Sequence, residues 1–417
     1  MKKNVSILTV GNEILTGFIL NTNSQWIGKE LDLLGFNVSG SYSVRDEKKS
    51  IIEILDYSLS NSDIVIITGG LGPTNDDITK NTLCEYFKSN LVLNNDVLDN
   101  ISSMFQKRGY ELTKLNKNQA LVPANCRVLQ NYLGTAPGMC FELNNKIIIS
   151  LPGVPFEMIE LMNNSVMPFL TERFSEENVT YKVISTQGIG ESFLADKIKN
   201  WEDNLPEGFL LAYLPSVSIV KLRLSYFYKS SEDKIEVENL INIKVEELKQ
   251  LIPEYIFSEN NESLSQVLGK LLIENCKTIA TAESCTGGYI AHQITLNEGC
   301  SAYFKGSVVA YSNEIKENIL NVNSQIISTN GAVSAETVEL MIKGVINKFN
   351  VDYAIAISGI AGPGGGTEEK PVGTVYIGVG NKQKSLVKRF TFGADRERNI
   401  QRSAMFALKM MIDFIKS

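Results

Sequence analysis

The sequence predicts an α/β fold in three parts: an N-terminal α/β domain over residues 1–167, a small α+β unit over 168–258 and a C-terminal α/β domain over 259–417. Three observations predict it. Short apolar runs alternate with helical patterns at both ends of the chain, the order that builds mostly parallel sheets with right-handed crossovers. Between them, strands alternate apolar and polar residues as half-solvated strands do. The 417 residues also exceed what one core serves, at roughly 100 to 200 residues per domain.

In the first part KNVSILTV reads as a strand, 24–34 as a helix, NVSGSYSV as a strand, 48–59 as a helix and SDIVIIT as a buried strand. KIIISLPGVPFEM closes it with a strand, a Pro/Gly turn and a helix starting at Pro155. In the middle part YKVIST is a strand, GESFLADKIKNW a helix, LLAYLP and SIVKLRLSYFY a strand pair, and 233–251 a charged helix. The polar run SENNES, 258–263, marks the second boundary. The third part reads as helix 263–274, strand KTIATAE, helix GGYIAHQI, strand GSVVAY, helix 335–349, strands DYAIAIS, TVYIGVG and SLVKRFTF, and a last helix 396–415.

Composition narrows the function. No apolar run approaches the ~20 residues of a membrane span, and MKKNVSILTVGNE carries no small-residue cleavage site, so a soluble cytoplasmic protein with no membrane partner is expected. Lys plus Arg number 40 against 47 Asp plus Glu, a net charge of −7, which argues against nucleic acid as the main ligand. Six scattered cysteines without a CxxC pair suggest neither a disulfide framework nor a thiolate metal site. The one histidine, His292, lies in HQITLNEG with no triad, zinc or deaminase pattern around it, and reads as a polar residue on a helix flank. Any hydrolysis here needs another base.

The C-terminal part offers one. AESCTGG puts Ser284 directly after an apolar strand and before Gly287 and Gly288, at the point where a strand-to-helix turn exposes a hydroxyl and the positive helix end faces an anion. A plain Gly-rich turn capped by Ser284 and Thr286 fits the same spacing. VVAYSNEIK places Tyr311 at a strand end and Lys316 just beyond; a serine without histidine needs a base such as lysine with a lowered pKa. SGIAGPGGGTEEKPVGTV supplies Ser358, Gly359 and an amide-rich loop suited to an oxyanion or phosphate, and TFGADRERNIQR puts Arg396 at a helix start, suited to a phosphate or merely solvated. Cys285 is a rival nucleophile, its side chain turned about 100° from Ser284 if the helix has begun there.

In the N-terminal part ITGGLGPTNDDITKN combines Gly69, Gly70, Gly72 and Thr74 with Asp76 and Asp77 before a helix, a pattern suited to a diphosphate bridged by a divalent cation. Asp77 as a helix N-cap with Asp76 solvated is the simpler alternative. Glu13, at the end of the first strand, either completes that cation site or stabilises its own turn.

TAESCTGG, VVAYSNEIK, GAVSAETV, ISGIAGPGGGTEEKPVGTVYIG and FTFGADR resemble, in order, the C-terminal domain of the CinA family, itself similar to bacterial nicotinamide mononucleotide deamidase. The resemblance implies metal-free, cofactor-free hydrolysis of nicotinamide mononucleotide to nicotinate mononucleotide and ammonia. Ser284 is then the nucleophile, Lys316 the base, Tyr311 and Ser358 helpers in the proton network, and Gly287, Gly288, Gly359 and Arg396 substrate contacts. Ser358 stands where threonine is common and keeps the hydroxyl. The N-terminal motifs with SLPGVPFEM resemble the molybdopterin-binding fold of CinA proteins, with Asn12 in place of the usual aspartate. That implies an ADP-ribose pyrophosphatase needing Mg, Mn or Co, with Glu13, Asp76 and Asp77 on the metal and Gly69, Gly70, Gly72 and Thr74 on the substrate, or a fold retained for molybdopterin binding alone. Both activities would serve NAD salvage. The middle part resembles a degenerate KH module; it has no GXXG loop, and Gly188 and Gly190 are the nearest glycines. The family implies a homodimer. The competing reading is a non-catalytic accessory of competence or DNA-damage responses that acts through protein partners.

Overall fold

The computed structural model describes residues 3–74, 76–107, 109–174, 177–229 and 233–417. Compactness divides the chain into two units, Met1–Thr180 with Phe227–Lys234, and Tyr181–Tyr226 with Ile235–Ser417. Among the described residues no helix is long and apolar enough to cross a membrane.

The first unit is built on a six-stranded sheet. Its strands run in the order Asn37–Val44, Asn4–Val10, Ile64–Thr68, Lys146–Leu151, Gly138–Leu143, Arg127–Leu129. The first four are parallel and the last two antiparallel. Alternate residues feed two cores. Val5, Ile7, Ile64 and Ile66 pack with Ile27 and Leu31 of the helix Thr22–Leu33 and with Met158 and Leu161 of Pro155–Leu161. Leu8, Val10, Val65 and Ile67 pack on the other face with Ile51 and Leu55 of Lys48–Asn61 and Leu83 of Thr79–Tyr86. Helices on both faces explain why IVIIT is apolar at every position. The strand order reverses direction between Asn4–Val10 and Ile64–Thr68, which opens a crevice at their carboxyl ends. Gly69 turns the chain there with φ +105°, and a Cβ on it would overlap the Val10 carbonyl.

In the middle segment the strands Phe209–Ser216, Ile219–Lys229, Glu177–Gln187 and Ile256–Ser258 form one sheet in that order. It is backed by the helices Glu191–Asp203 and Lys234–Leu251 through Ile184, Leu194, Ile198, Leu222, Val245 and Leu248. Gly188 and Gly190 belong to the turn leading into the first of these helices. This middle segment is compact together with the C-terminal one: Val183 bridges to Asn260, Ile219 packs on the C-terminal core, and Lys221 Nζ lies 2.7 Å from Asn261 Oδ1.

The C-terminal sheet runs Phe304–Val309, Ile279–Glu283, Tyr353–Gly359, Thr374–Asn381, Ser385–Thr391, parallel across its first three strands and antiparallel across the rest. Leu264–Glu274, Tyr289–Thr295 and Arg396–Lys416 cover one face, and Asn313–Leu320 and Ala335–Phe349 the other. The helix Ala335–Phe349 follows the expected bounds because Ser334 caps it and Asn350 ends it in the left-handed conformation.

Candidate active site

Ser284 lies directly beyond the strand Ile279–Glu283, in a turn that continues to Gly288 before the helix Tyr289–Thr295 begins. Its N–H donates to the Ile357 carbonyl at 3.0 Å, which ties the turn to the neighbouring strand. Across the site, Ser312 caps the helix Asn313–Leu320 by accepting the Ile315 N–H at 3.2 Å, and Lys316 follows one turn later. Lys316 is only 1% exposed. Its Nζ lies 3.1 Å from Ser284 Oγ, 2.7 Å from the Ala310 carbonyl and 3.2 Å from the Tyr311 carbonyl.

No carboxylate among the described residues forms an ion pair with this amine, so burial pushes its pKa below the ordinary lysine value. A neutral amine carries two hydrogens and one lone pair. The two carbonyls can take the hydrogens, which leaves the lone pair for the Ser284 hydroxyl proton, the arrangement of a general base on its nucleophile. The charged form would instead donate to all three oxygens.

The other expected side chains stand further from this pair. The Tyr311 hydroxyl accepts from Arg396 Nη2 at 3.2 Å, and Arg396 Nη1 donates to the Gly362 carbonyl at 2.7 Å. Tyr311 contributes its backbone carbonyl, not its hydroxyl, to Lys316. Ser358 Oγ donates to the Ala332 carbonyl at 2.6 Å. Neither hydroxyl has a hydrogen bond to Ser284 or Lys316, whose partners are each other and the Ala310 and Tyr311 carbonyls. Gly359 ends its strand opposite Val375, where a Cβ would meet the Thr374 carbonyl at 2.9 Å, so packing alone accounts for it. Gly287, with φ +61°, faces open space.

One expectation is corrected here. The positive end of the helix after Ser284 does not wait for an anion: the buried Glu283 carboxylate accepts the N–H groups of Gly288, Ile290 and Ala291 at 3.1, 3.0 and 2.9 Å. Among the described residues no carbonyl accepts the N–H groups of Cys285 and Thr286, and the Cys285 N–H faces its own sulfur. The helix also starts at Tyr289, not at Cys285, so burial rather than a helical offset separates Cys285 from Ser284. Cys285 packs in the apolar core, where burial pushes its thiol up to about 12. His292 is exposed on its helix beside Tyr289.

In the first unit the crevice holds a cavity of about 500 Å³. Glu13, Asp46, Asp76, Asp77 and Glu157 line it, with Gly69, Gly70 and Gly72, and among the described residues no Lys, Arg or His does. Asp77 accepts the Thr74 N–H at 3.0 Å and the Thr74 hydroxyl, so it closes the glycine loop; the helix that follows is capped by Ile78 without a side-chain bond. Glu13 folds back over Gly11, and Asp76 is exposed. Among the described residues no three His, Cys, Asp or Glu side chains converge to hold a metal, so Glu13, Asp76 and Asp77 line one cavity without forming a ready cage. Sequence reasoning missed Asp46 and Glu157. Asp46 accepts the Asn12 N–H at 2.9 Å, and burial, with the charges of Glu13 and Asp76, raises its pKa. Glu157 accepts from Asn131 Nδ2 at 2.7 Å and is likewise raised by burial.

Residues 261–415 match the family model of the CinA C-terminal domain, 6–172 that described as "Probable molybdopterin binding domain", and 181–258 the damage-inducible protein CinA KH domain. A CinA-like protein of Cytophaga hutchinsonii is 47% identical over 406 residues, 97% of this chain and 96% of its own length. The chain belongs to the CinA family. The CinA-like protein of Flavobacterium psychrophilum is 45% identical over 97% of both chains. The crystal structure of CinA from Thermoplasma acidophilum is 38% identical, and the match covers 98% of its length and 40% of this chain at a TM-score of 0.37. The molybdopterin-binding, KH and C-terminal order of CinA is therefore the layout of this chain. Within the CinA C-terminal domain, the buried, un-ionised thiol leads to a direct expectation. Cys285→Ala is expected to keep any turnover that depends on Ser284 within a few-fold of the parent, whereas a large loss would make the thiol the nucleophile.

Proposed function

We propose that the C-terminal domain hydrolyses nicotinamide mononucleotide to nicotinate mononucleotide and ammonia. The observation that carries this reading is the buried Lys316 amine 3.1 Å from Ser284 Oγ, with two carbonyls to take its hydrogens. Ser284 Oγ attacks the carboxamide carbon while Lys316 takes its proton. The N–H groups of Cys285 and Thr286, which no carbonyl of the described residues accepts, are the donors suited to the tetrahedral oxyanion. The C–N bond then breaks, Lys316 returns the proton to the leaving nitrogen, and ammonia departs from an acyl-enzyme. Water enters, gives a proton to Lys316 and releases nicotinate mononucleotide as Ser284 is reprotonated. Arg396, at the rim beside Tyr311, is the side chain suited to the substrate phosphate. Incubation of the protein with nicotinamide mononucleotide under chelator, following ammonia, tests this reading. Ammonia release supports it, and release only after added metal contradicts it.

For the N-terminal domain we propose divalent-cation-dependent hydrolysis of ADP-ribose. The supporting observation is the cavity's wall of five carboxylates with no basic side chain among the described residues, which repels a bare diphosphate. A cation shared between substrate phosphates and one or two carboxylates would neutralise both, and needs no cage of three protein ligands. AMP release from ADP-ribose is expected with Mg²⁺, Mn²⁺ or Co²⁺ and none under chelator. No release with any of the three, in a preparation whose amidase is intact, removes this activity and leaves binding as the domain's role. The competence and damage names carried by relatives support a different reading, an accessory acting through protein partners; that reading predicts no turnover in either assay.

A further inference from the structure

Glu283 is a buried titratable group that the serine–lysine chemistry does not use. It ends the strand that delivers Ser284 and is 0% exposed. Its Oε2 accepts from Gly288 and Ile290, its Oε1 from Ala291, and the Thr281 hydroxyl lies 3.2 Å from Oε1. Thr281 Oγ1 is also 2.7 Å from Ser307 Oγ on the adjacent strand Phe304–Val309. That strand leads straight into Ala310 and Tyr311, whose carbonyls hold Lys316. One carboxylate thus joins the turn carrying the hydroxyl to the strand that anchors the amine.

Capping alone does not call for such a group. Ser263, Ser312, Asn323 and Ser334 cap helices of the same unit with neutral side chains, the one capping carboxylate besides, Asp395, is exposed to solvent, and burying a carboxylate costs far more than burying a hydroxyl. What the carboxylate adds is capacity: two oxygens accept three N–H groups at once, so every amide from Gly288 to Ala291 that faces the turn is committed, given that Tyr289 N–H already bonds to Thr286 O. Among the described residues of this turn, the N–H groups left without a carbonyl or carboxylate acceptor are those of Cys285, which faces its own sulfur, and Thr286.

We infer that Glu283 is a positioning residue of the amidase: it locks the 284–288 turn so that Ser284 Oγ stays on Lys316 and the unpaired amides stay with the reacting carbonyl. This rests on the serine–lysine reading. Glu283→Gln replaces one acceptor oxygen with a donor that faces a backbone N–H. The expected result is a kcat for nicotinamide mononucleotide lower by roughly 10²-fold, the scale of a small displacement of reacting groups, with KM little changed. The pH at which activity rises stays that of the parent, since Lys316 is untouched, and amide exchange at Gly288, Ile290 and Ala291 becomes faster. A parent-like kcat, or a loss carried by KM alone, overturns the inference. If Glu283→Gln does not fold, Thr281→Val decides: it cuts the link to Ser307, and kcat should fall with KM unchanged, whereas a parent-like kcat counts against the proposal. Ser284→Ala is assayed alongside. Ammonia release by that variant would reject the nucleophile itself, while the exchange measurement still reports whether Glu283 holds the turn.

Discussion

Ser284→Ala is expected to lower the proposed release of ammonia from nicotinamide mononucleotide by roughly 10⁴-fold or more, the scale on which removal of a covalent nucleophile acts. The loss should fall on kcat, since alanine removes no contact to the phosphate or ribose. The fold should survive: the turn is held by the Ser284 N–H on Ile357 O and by Glu283, neither of which uses the hydroxyl. Denaturation midpoints of parent and variant are then similar, and substrate still protects both against unfolding. A variant that kept most of its activity would move the reaction to a direct water attack and leave Ser284 a turn residue.

Lys316→Met gives the second large effect, a loss of about 10²- to 10⁴-fold, the usual contribution of a general base. Lys316→Arg should be equally inactive at every accessible pH, because a guanidinium does not release its proton. In the parent, kcat/KM rises with pH through an inflection below the ordinary lysine value, since the free amine is the active form. Stability carries the same signature with a definite sign. The folded pKa of Lys316 is depressed, so the unfolded chain binds more protons between the folded value and about 10.4, and the parent gains stability as pH rises through that window. Lys316→Met lacks the term. Its melting temperature relative to the parent is therefore most favourable below the window and becomes less so as pH approaches about 10.4. The carbonyls of Ala310 and Tyr311 left without a donor cost the same at every pH and cancel from that comparison.

Much of the C-terminal site is legible in the sequence because strand ends are. TIATAE and DYAIAIS are apolar runs that can only be buried parallel strands, so Ser284 and Ser358 had to emerge at one sheet edge. Lys316 was legible as a residue type but not as a contact: its reach to Ser284 depends on a short helix, Asn313–Leu320, whose eight residues show too little periodicity to fix its face. Glu283 was overlooked although the sequence held a signal, a carboxylate closing an otherwise apolar strand. Reading the glycines as an anion site ignored the acceptor one residue before the serine.

In the N-terminal unit the glycine loop and the crevice follow from the strand pattern, and Asp46 could have been found by the same rule that found Glu13, since it follows the strand Asn37–Val44 at the same edge. Glu157 sits in the first turn of the helix after LPG, where an acidic residue suits the helix end, and only the fold brings it to the cavity. The Asp77 side chain turns back to Thr74, and Glu13 folds back over Gly11, the local alternative its place in the sequence also offered. The middle segment reads as a separate unit from its change of pattern, whereas compactness depends on contacts such as Ile219 with the C-terminal core, far apart in sequence.

The claim beneath the mechanism is that a buried amine, whose charged form burial disfavours, stands ready to take the Ser284 proton. The direct measurement is an NMR titration of protein carrying ¹³C at lysine Cε, with the Lys316 signal assigned by its disappearance in Lys316→Met. The account predicts that this one signal titrates clearly below the other lysines and coincides with the inflection in kcat/KM. A Lys316 signal that titrates with the rest, near about 10.4, would contradict it.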